Sequence, residues 1–166
     1  VNPKEPSTLL EVPPAYIIRE ILTLWNERKK HTDVVLALDI SGSMKGDKLN
    51  NAREGATKFL GALGDADNFS LLTFNYQLNW LAKQLLLKTD RQPVEKKIKS
   101  LFASGNTALY DAVAEAHQYL KKNPQPEKIA AIVVLSDGQD TSSQLKLEEL
   151  LKQVQLTETT SILIFP

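Results

Sequence analysis

Four short runs rich in Val, Ile, Leu and Phe, with little polar alternation inside them, limit what this polypeptide can become: Val34 to Leu38, Phe69 to Phe74, Ile129 to Leu135 and Ser161 to Phe165. A strand with one wet face alternates apolar with polar residues, so runs like these must be covered on both sides. The intervening segments supply the cover. Leu49, Ala52, Ala56, Phe59, Leu60 and Leu63 recur at three- and four-residue steps, which lays one apolar stripe along a helix. Asp47 is placed to cap its start and Gly64 to stop it. The same step returns in Val94, Ile98, Leu101 and Phe102, in Leu109, Ala112, Val113, Ala116 and Leu120, and in Leu147, Leu150, Leu151 and Val154. This alternation predicts an α/β fold, Rossmann-like and doubly wound, with a mostly parallel central sheet and helices on both faces. Leu78 to Leu81 is expected to add a short edge strand after a turn at Asn75 to Gln77.

With 166 residues, the chain can bury enough apolar surface to fold as one domain without a disulfide or a structural metal. Residues 1–31 stand apart as a leader. In it Pro13 and Pro14 open an amphipathic helix with Ile17, Ile18, Ile21, Leu22 and Trp25 on one face, and Glu27 to His31 reads as its solvated end. The alternating pattern occupies residues 32–166. Val1 and Pro166 both read as cuts in a longer, multidomain chain. Twenty basic residues balance twenty acidic ones, so no positive field exists to hold nucleic acid or an anionic lipid surface. The apolar runs fall far below the roughly 20 residues of a membrane-spanning helix, and no membrane insertion is expected. Zero cysteines exclude thiol nucleophiles, thiolate metal sites and redox switching. They suit an extracytoplasmic protein as well as a cytosolic one.

In an open parallel sheet, ligands bind beyond the carboxyl ends of the strands, where the winding reverses and two loops part. The first core strand runs into Asp39-Ile40-Ser41-Gly42-Ser43-Met44, and the strand Ile129 to Leu135 runs into Ser136-Asp137-Gly138. Ser104-Gly105-Asn106-Thr107 opens the helix that begins near Ala108. Each polar residue alone has an ordinary reading: Asp137-Gly138 is a common turn pair, Thr107 could cap its helix, and Ser41 or Ser43 could satisfy loop amides. Their joint occurrence shifts the weight, because Asp39, Ser41 and Ser43 alternate by two in one loop and can aim three oxygens at one point. All-oxygen ligation suits a hard cation, Mg²⁺ or alternatively Mn²⁺ or Ca²⁺, and disfavours zinc, which takes His or Cys. His31 and His117 are isolated, and His117, one helical step past the apolar stripe, is expected on the helix surface. Met44 is expected to pack beneath the loop, Lys45 and Asp47 to lie at the surface or cap, and Asp111 to face its own helix start, where the dipole favours a carboxylate.

Asp39-Ile40-Ser41-Gly42-Ser43 resembles the Asp-x-Ser-x-Ser motif of von Willebrand factor type A (vWA) domains, at their metal-ion-dependent adhesion site. Gly105 to Ala112 resembles the threonine loop of bacterial members. Leu135-Ser136-Asp137-Gly138 resembles the final aspartate motif, with Ser136 where many relatives carry Thr. The resemblance runs from about Thr32 to Phe165 and implies a vWA fold truncated at its C-terminal end, with five of the six usual strands and without the last helix and strand. It implies a metal site of Asp39, Ser41, Ser43, Thr107 and Asp137. In such a site Ser41, Ser43 and Thr107 touch the cation through their hydroxyls, Asp39 and Asp137 act mainly through bound waters, and Thr107 and Asp137 exchange directness as the site opens. Neutral hydroxyls donate little charge, so a cation held this way stays electrophilic. The function implied is a protein-binding module, not an enzyme, in which bound Mg²⁺ accepts an Asp or Glu of a protein partner. Its setting would be a larger bacterial envelope or assembly protein, with a periplasmic or extracellular place favoured and the cytoplasm left open.

Two rival functions share these features. A partner subunit of an ATP-driven assembly such as a metal chelatase can carry the same fold and motif. A Mg²⁺-dependent phosphatase of the aspartate-nucleophile type also ends its first strand in Asp, but wants a second acid two residues later, where this chain has Ser41. Gly42-Ser43-Met44-Lys45-Gly46 is not a nucleophile elbow, and no Gly-x-x-x-x-Gly-Lys phosphate loop is present. Asp39 and Thr107 both read as polar loop positions, whose replacement is expected to spare the fold while abolishing metal-dependent binding.

Overall fold

The computed structural model describes residues 30–155 and 162–165; the helix read around Pro13 to Trp25 lies outside them. Residues His31–Pro166 form one compact unit. Its elements in chain order are β1 (Thr32–Asp39), a single 3-10 turn (Gly42–Met44), α1 (Asp47–Ala62), β2 (Asn68–Phe74), β3 (Leu78–Leu86), α2 (Leu87–Lys99), α3 (Leu109–Lys122), β4 (Ile129–Leu135), α4 (Leu147–Gln155) and β5 (Leu163–Phe165). The strands lie side by side as β3-β2-β1-β4-β5. β1 runs parallel to both β2 and β4, β4 runs parallel to β5, and β3 pairs antiparallel with β2.

The period of two along each strand shows why the apolar runs need cover on both sides. Val35 and Ala37 of β1 join Leu72, Ile132, Ala116 and Leu150 in one core cluster, under α3 and α4. Leu36 and Leu38 join Phe69, Leu71, Leu60 and Ile98 in the other, under α1 and α2. From β1 the chain winds through α1 to β2 on one side, then returns through α2 and α3 to β4 on the other. The loops leaving β1 and β4 therefore diverge at the centre of the sheet, the crevice where this architecture binds ligands. Among the described residues no helix is long and apolar enough to cross a membrane.

Several local expectations are corrected. His117 is not on the surface: it is 3% exposed, because it lies four residues after Val113 and three before Leu120 and so falls within the stripe. Burial, with the Lys121 charge second, depresses the imidazole pKa. Phe102 does not extend the α2 stripe, since that helix ends at Lys99, and its ring is exposed in the following loop. Gly46, with φ +78°, takes the cap position before α1, and Asp47 is the first helical residue. The edge strand runs nine residues, to Leu86. It passes Lys83 and Gln84 because an outer strand keeps one wet face. There the register shifts against β2, Gln84 adopts φ 44°, and its amide donates to Ser70 Oγ at 2.9 Å, as a bulge requires.

Asp33, near the start of β1, is buried, and its Oδ1 has no hydrogen-bond partner among the described residues. Burial raises its pKa above the ordinary 3.8, Lys128 partly opposing. The native state thus holds this proton more tightly than the unfolded chain, so ionising Asp33 costs stability as pH rises from the ordinary carboxylate value through the raised one. Asp33→Asn, which removes the charge and keeps the shape, is expected to stabilise the fold at pH 7. Thermal melts across pH should show that gain shrinking towards zero below pH ~4.

Candidate metal centre

Parallel pairing sets the first contact. β1 and β4 are in register at Leu38 and Leu135, which brings the next residues, Asp39 and Ser136, side by side at the carboxyl edge. Ser136 Oγ donates to Asp39 Oδ2 at 2.5 Å, and the Ser41 amide donates to Asp39 Oδ1 at 2.7 Å. Asp39 is therefore not an exposed loop position: it is the last residue of β1 and 0% exposed. From it a chain of hydroxyls runs outward. Ser41 Oγ and Ser43 Oγ lie 2.9 Å apart, and Ser43 Oγ donates to Asp137 Oδ1 at 2.9 Å. Ser43 has one hydroxyl proton and gives it to Asp137, so Ser41 is the donor within the serine pair. The Lys48 ammonium donates to the other Asp137 oxygen and forms an ion pair with it. That hydrogen bond is the main reason the Asp137 carboxyl titrates below its ordinary range, with slight burial opposing and Ser43 assisting.

Backbone bonds knit the loops around this chain. Phe74 O accepts the Ile40 amide at 2.8 Å, Ile40 O accepts the Ser104 amide at 2.8 Å, and Gly105 O accepts the Gly42 amide at 2.8 Å. Glycine suits both positions, for different reasons. A Cβ on Gly42 would stand 3.1 Å from Gly105 O, and one on Gly105, itself at φ +78°, would stand 2.5 Å from the Tyr76 ring. Thr107, buried, is gripped from the loop that follows Asp137. Its amide donates to Thr141 Oγ1 at 2.9 Å, and its carbonyl accepts the Thr141 and Ser142 amides at 2.8 and 3.0 Å. Thr107 does not cap α3, whose cap position is Ala108. The first amides of α3 are met by that same loop: Tyr110 donates to Asp140 Oδ1 at 3.3 Å and Asp111 to Ser143 Oγ at 3.1 Å. Asp111 lies in the first turn of α3 as expected, and its carboxylate accepts the Gln144 and Leu145 amides at 2.9 and 3.0 Å.

The five residues singled out from sequence thus come from three loops to one place. Asp39, Ser41, Ser43 and Asp137 are joined in sequence by the contacts above. Thr107 joins the group beside Gly138: a Cβ on Gly138 would lie 3.6 Å from Ser43 Oγ and 3.9 Å from Thr107 Oγ1, in contact with both hydroxyls. Two carboxylates and three hydroxyls fit a hard divalent ion. Among the described residues no three His, Cys, Asp or Glu side chains gather as a metal cage, so neutral oxygens would make up much of any shell here. Met44 is buried under the 3-10 turn as expected, while Lys45 and Asp47 are exposed. Sequence reasoning missed Lys48 and Thr141, and passed over Ser136 as a simple replacement. Strand register would have found Ser136, and a lysine in a helix's first turn, where the dipole disfavours it, was a signal for Lys48.

The family model described as von Willebrand factor type A domain matches residues 34–139. Among curated proteins, inter-alpha-trypsin inhibitor heavy chain H2 of Mesocricetus auratus is 29% identical over 140 residues, which cover 80% of this chain and 15% of that protein. The chain therefore spans only a small part of such relatives. Among solved structures, a von Willebrand factor type A protein from Catenulispora acidiphila superposes with a TM-score of 0.67 at 20% identity, covering 81% of this chain and 33% of the other. Manganese-loaded TRAP protein of Plasmodium vivax superposes with a TM-score of 0.64 at 16% identity, covering 81% of this chain and 56% of the other.

Proposed function

The chain belongs to the von Willebrand factor type A domain family, and from that membership we propose that it is a divalent-metal-dependent protein-binding module, with Asp39, Ser41, Ser43, Thr107 and Asp137 holding the ion. The observation that carries this reading is the run of contacts from Asp39 through Ser41 and Ser43 to Asp137, with the Ser43 and Thr107 hydroxyls both beside Gly138. A bound Mg²⁺ or Mn²⁺ would supply an electrophilic position for an Asp or Glu of a partner protein. The chain's own residues prepare it. Ser136 and the Ser41 amide orient Asp39, Thr141 orients Thr107, and the exposed position of Ser43 leaves the outer side of the cluster open to solvent and to a second molecule. The manganese carried by the Plasmodium vivax neighbour is consistent with such an ion, and the curated relatives, whose length this chain covers only in part, fit a module within a larger protein. Recognition rather than catalysis also fits the cluster, where Ser41 stands at the position an aspartate-nucleophile phosphatase would fill with its acid.

Calorimetric titration with Mn²⁺ and with Mg²⁺ should give saturable 1:1 binding. Gly138→Ala, whose Cβ fits at ordinary contact distances but lies against both hydroxyls, should weaken it by roughly tenfold or more, within the 10–100-fold losses seen when groups supporting a metal are perturbed. Peptides selected from a random displayed library on the loaded protein should carry an essential Asp or Glu and elute with EDTA. Absence of ion binding, or an EDTA-resistant selection indifferent to acidic residues, would overturn the reading.

A further inference from the structure

Lys48 lies in the first turn of α1, the positive end of the helix, where a cation is the wrong choice on local grounds. No neighbour on its own helix explains it. Its ammonium instead reaches a carboxylate 89 residues away, Asp137 Oδ2. The stem is largely in solvent, with the side chain 58% exposed against 15% for Asp137. A residue that breaks a local preference and satisfies a distant functional group is usually there for that group. Asp137 is held from both sides, Ser43 at one oxygen and Lys48 at the other.

Resting on the reading of this cluster as a divalent-ion site, we propose that Lys48 is its resident counter-cation, which occupies Asp137 in the metal-free protein and is displaced when a divalent ion enters. An ammonium and a dication repel strongly within a few ångströms, so the two do not share Asp137 Oδ2. The site exchanges one positive charge for another, and no covalent step is involved. Lys48 has the means to leave, being a flexible four-carbon stem rooted at the protein surface. The exchange has two consequences. The metal-free cluster keeps its shape because Asp137 is never left unpaired, and the affinity for the ion is set below what the oxygens alone would give, by the contact that must first break.

The test compares the 166-residue chain with Lys48→Met, which keeps the apolar stem and removes the charge, and with Lys48→Arg, which keeps the charge. Mn²⁺ affinity is read by calorimetry, and thermal melts are run in EDTA and in saturating Mn²⁺. Lys48→Met should bind Mn²⁺ roughly threefold to tenfold more tightly, the scale of a partly exposed ion pair plus relief of like-charge repulsion. It should melt lower than the parent in EDTA and gain more from Mn²⁺, while Lys48→Arg stays close to the parent. Equal or weaker Mn²⁺ binding by Lys48→Met would overturn the exchange while leaving the ion site standing. Failure of all three proteins to bind Mn²⁺ would overturn the site itself and the exchange with it.

Discussion

Replacing Asp39 with Asn is expected to weaken Mn²⁺ binding by about 100-fold or more while moving the melting temperature by only a few degrees, the upper end of what loss of an orienting carboxylate costs a metal site. The carboxylate accepts from the Ser41 amide and from the Ser136 hydroxyl. The Asn carbonyl can keep the first bond, and Ser136, a hydroxyl that can accept as well as donate, can turn to meet the new amide. Shape and bonding survive, and only the negative charge is lost. Asp39→Ala is a different experiment. Because Asp39 is fully buried, truncation strands the buried Ser41 amide and takes away the acceptor of the half-buried Ser136 hydroxyl, and destabilisation of roughly 1–3 kcal/mol should accompany the loss of binding. The two variants, compared by calorimetry and by denaturant unfolding, separate charge from architecture.

Leu60→Ala is expected to lower stability by about 2–5 kcal/mol, with a melting temperature lower by about 10 °C or more. Leu60 is wholly buried in the cluster beneath α1 and α2, near the C-terminal end of a helix, and its carbonyl also accepts from the Arg91 guanidinium on α2. Neither partner can close a cavity there freely, because α2 is anchored to that carbonyl and to Leu63 O at 2.9 Å. Val134→Ala should cost less, since the side chain is smaller and not quite fully enclosed. Urea unfolding of both variants checks the ranking, and a negligible loss at Leu60 would contradict the layer arrangement.

The layers were legible because the central strands announce themselves. A run such as Val34 to Leu38 has no wet face, and its two sets of side chains go to two separate clusters. β3 was legible only in part, since an outer strand with one solvated face can carry Lys83 and Gln84 without penalty and so loses its apolar signature halfway along. His117 was misjudged because one helical step past a stripe and within it differ by a small rotation, and the width of the stripe depends on how closely α3 packs. The five oxygen-bearing residues could be gathered from motif spacing, but the pairing of their partners could not. Ser136 and Thr141 owe their roles to parallel register and to loop-to-loop bonds between positions as much as 97 residues apart, which no local pattern encodes, and Lys48 shows locally only as a cation misplaced at a helix start.

The paired glycines of the first two loops lead to a last consequence. With Gly42 and Gly105 in backbone contact and Tyr76 lying against the second of them, the rim of the crevice is assembled during folding rather than at the moment of capture. Most of the ordering entropy is then already lost before any guest arrives. On the proposed reading, the rate of recognition should accordingly be set by water leaving the guest and by side-chain swing rather than by loop rearrangement.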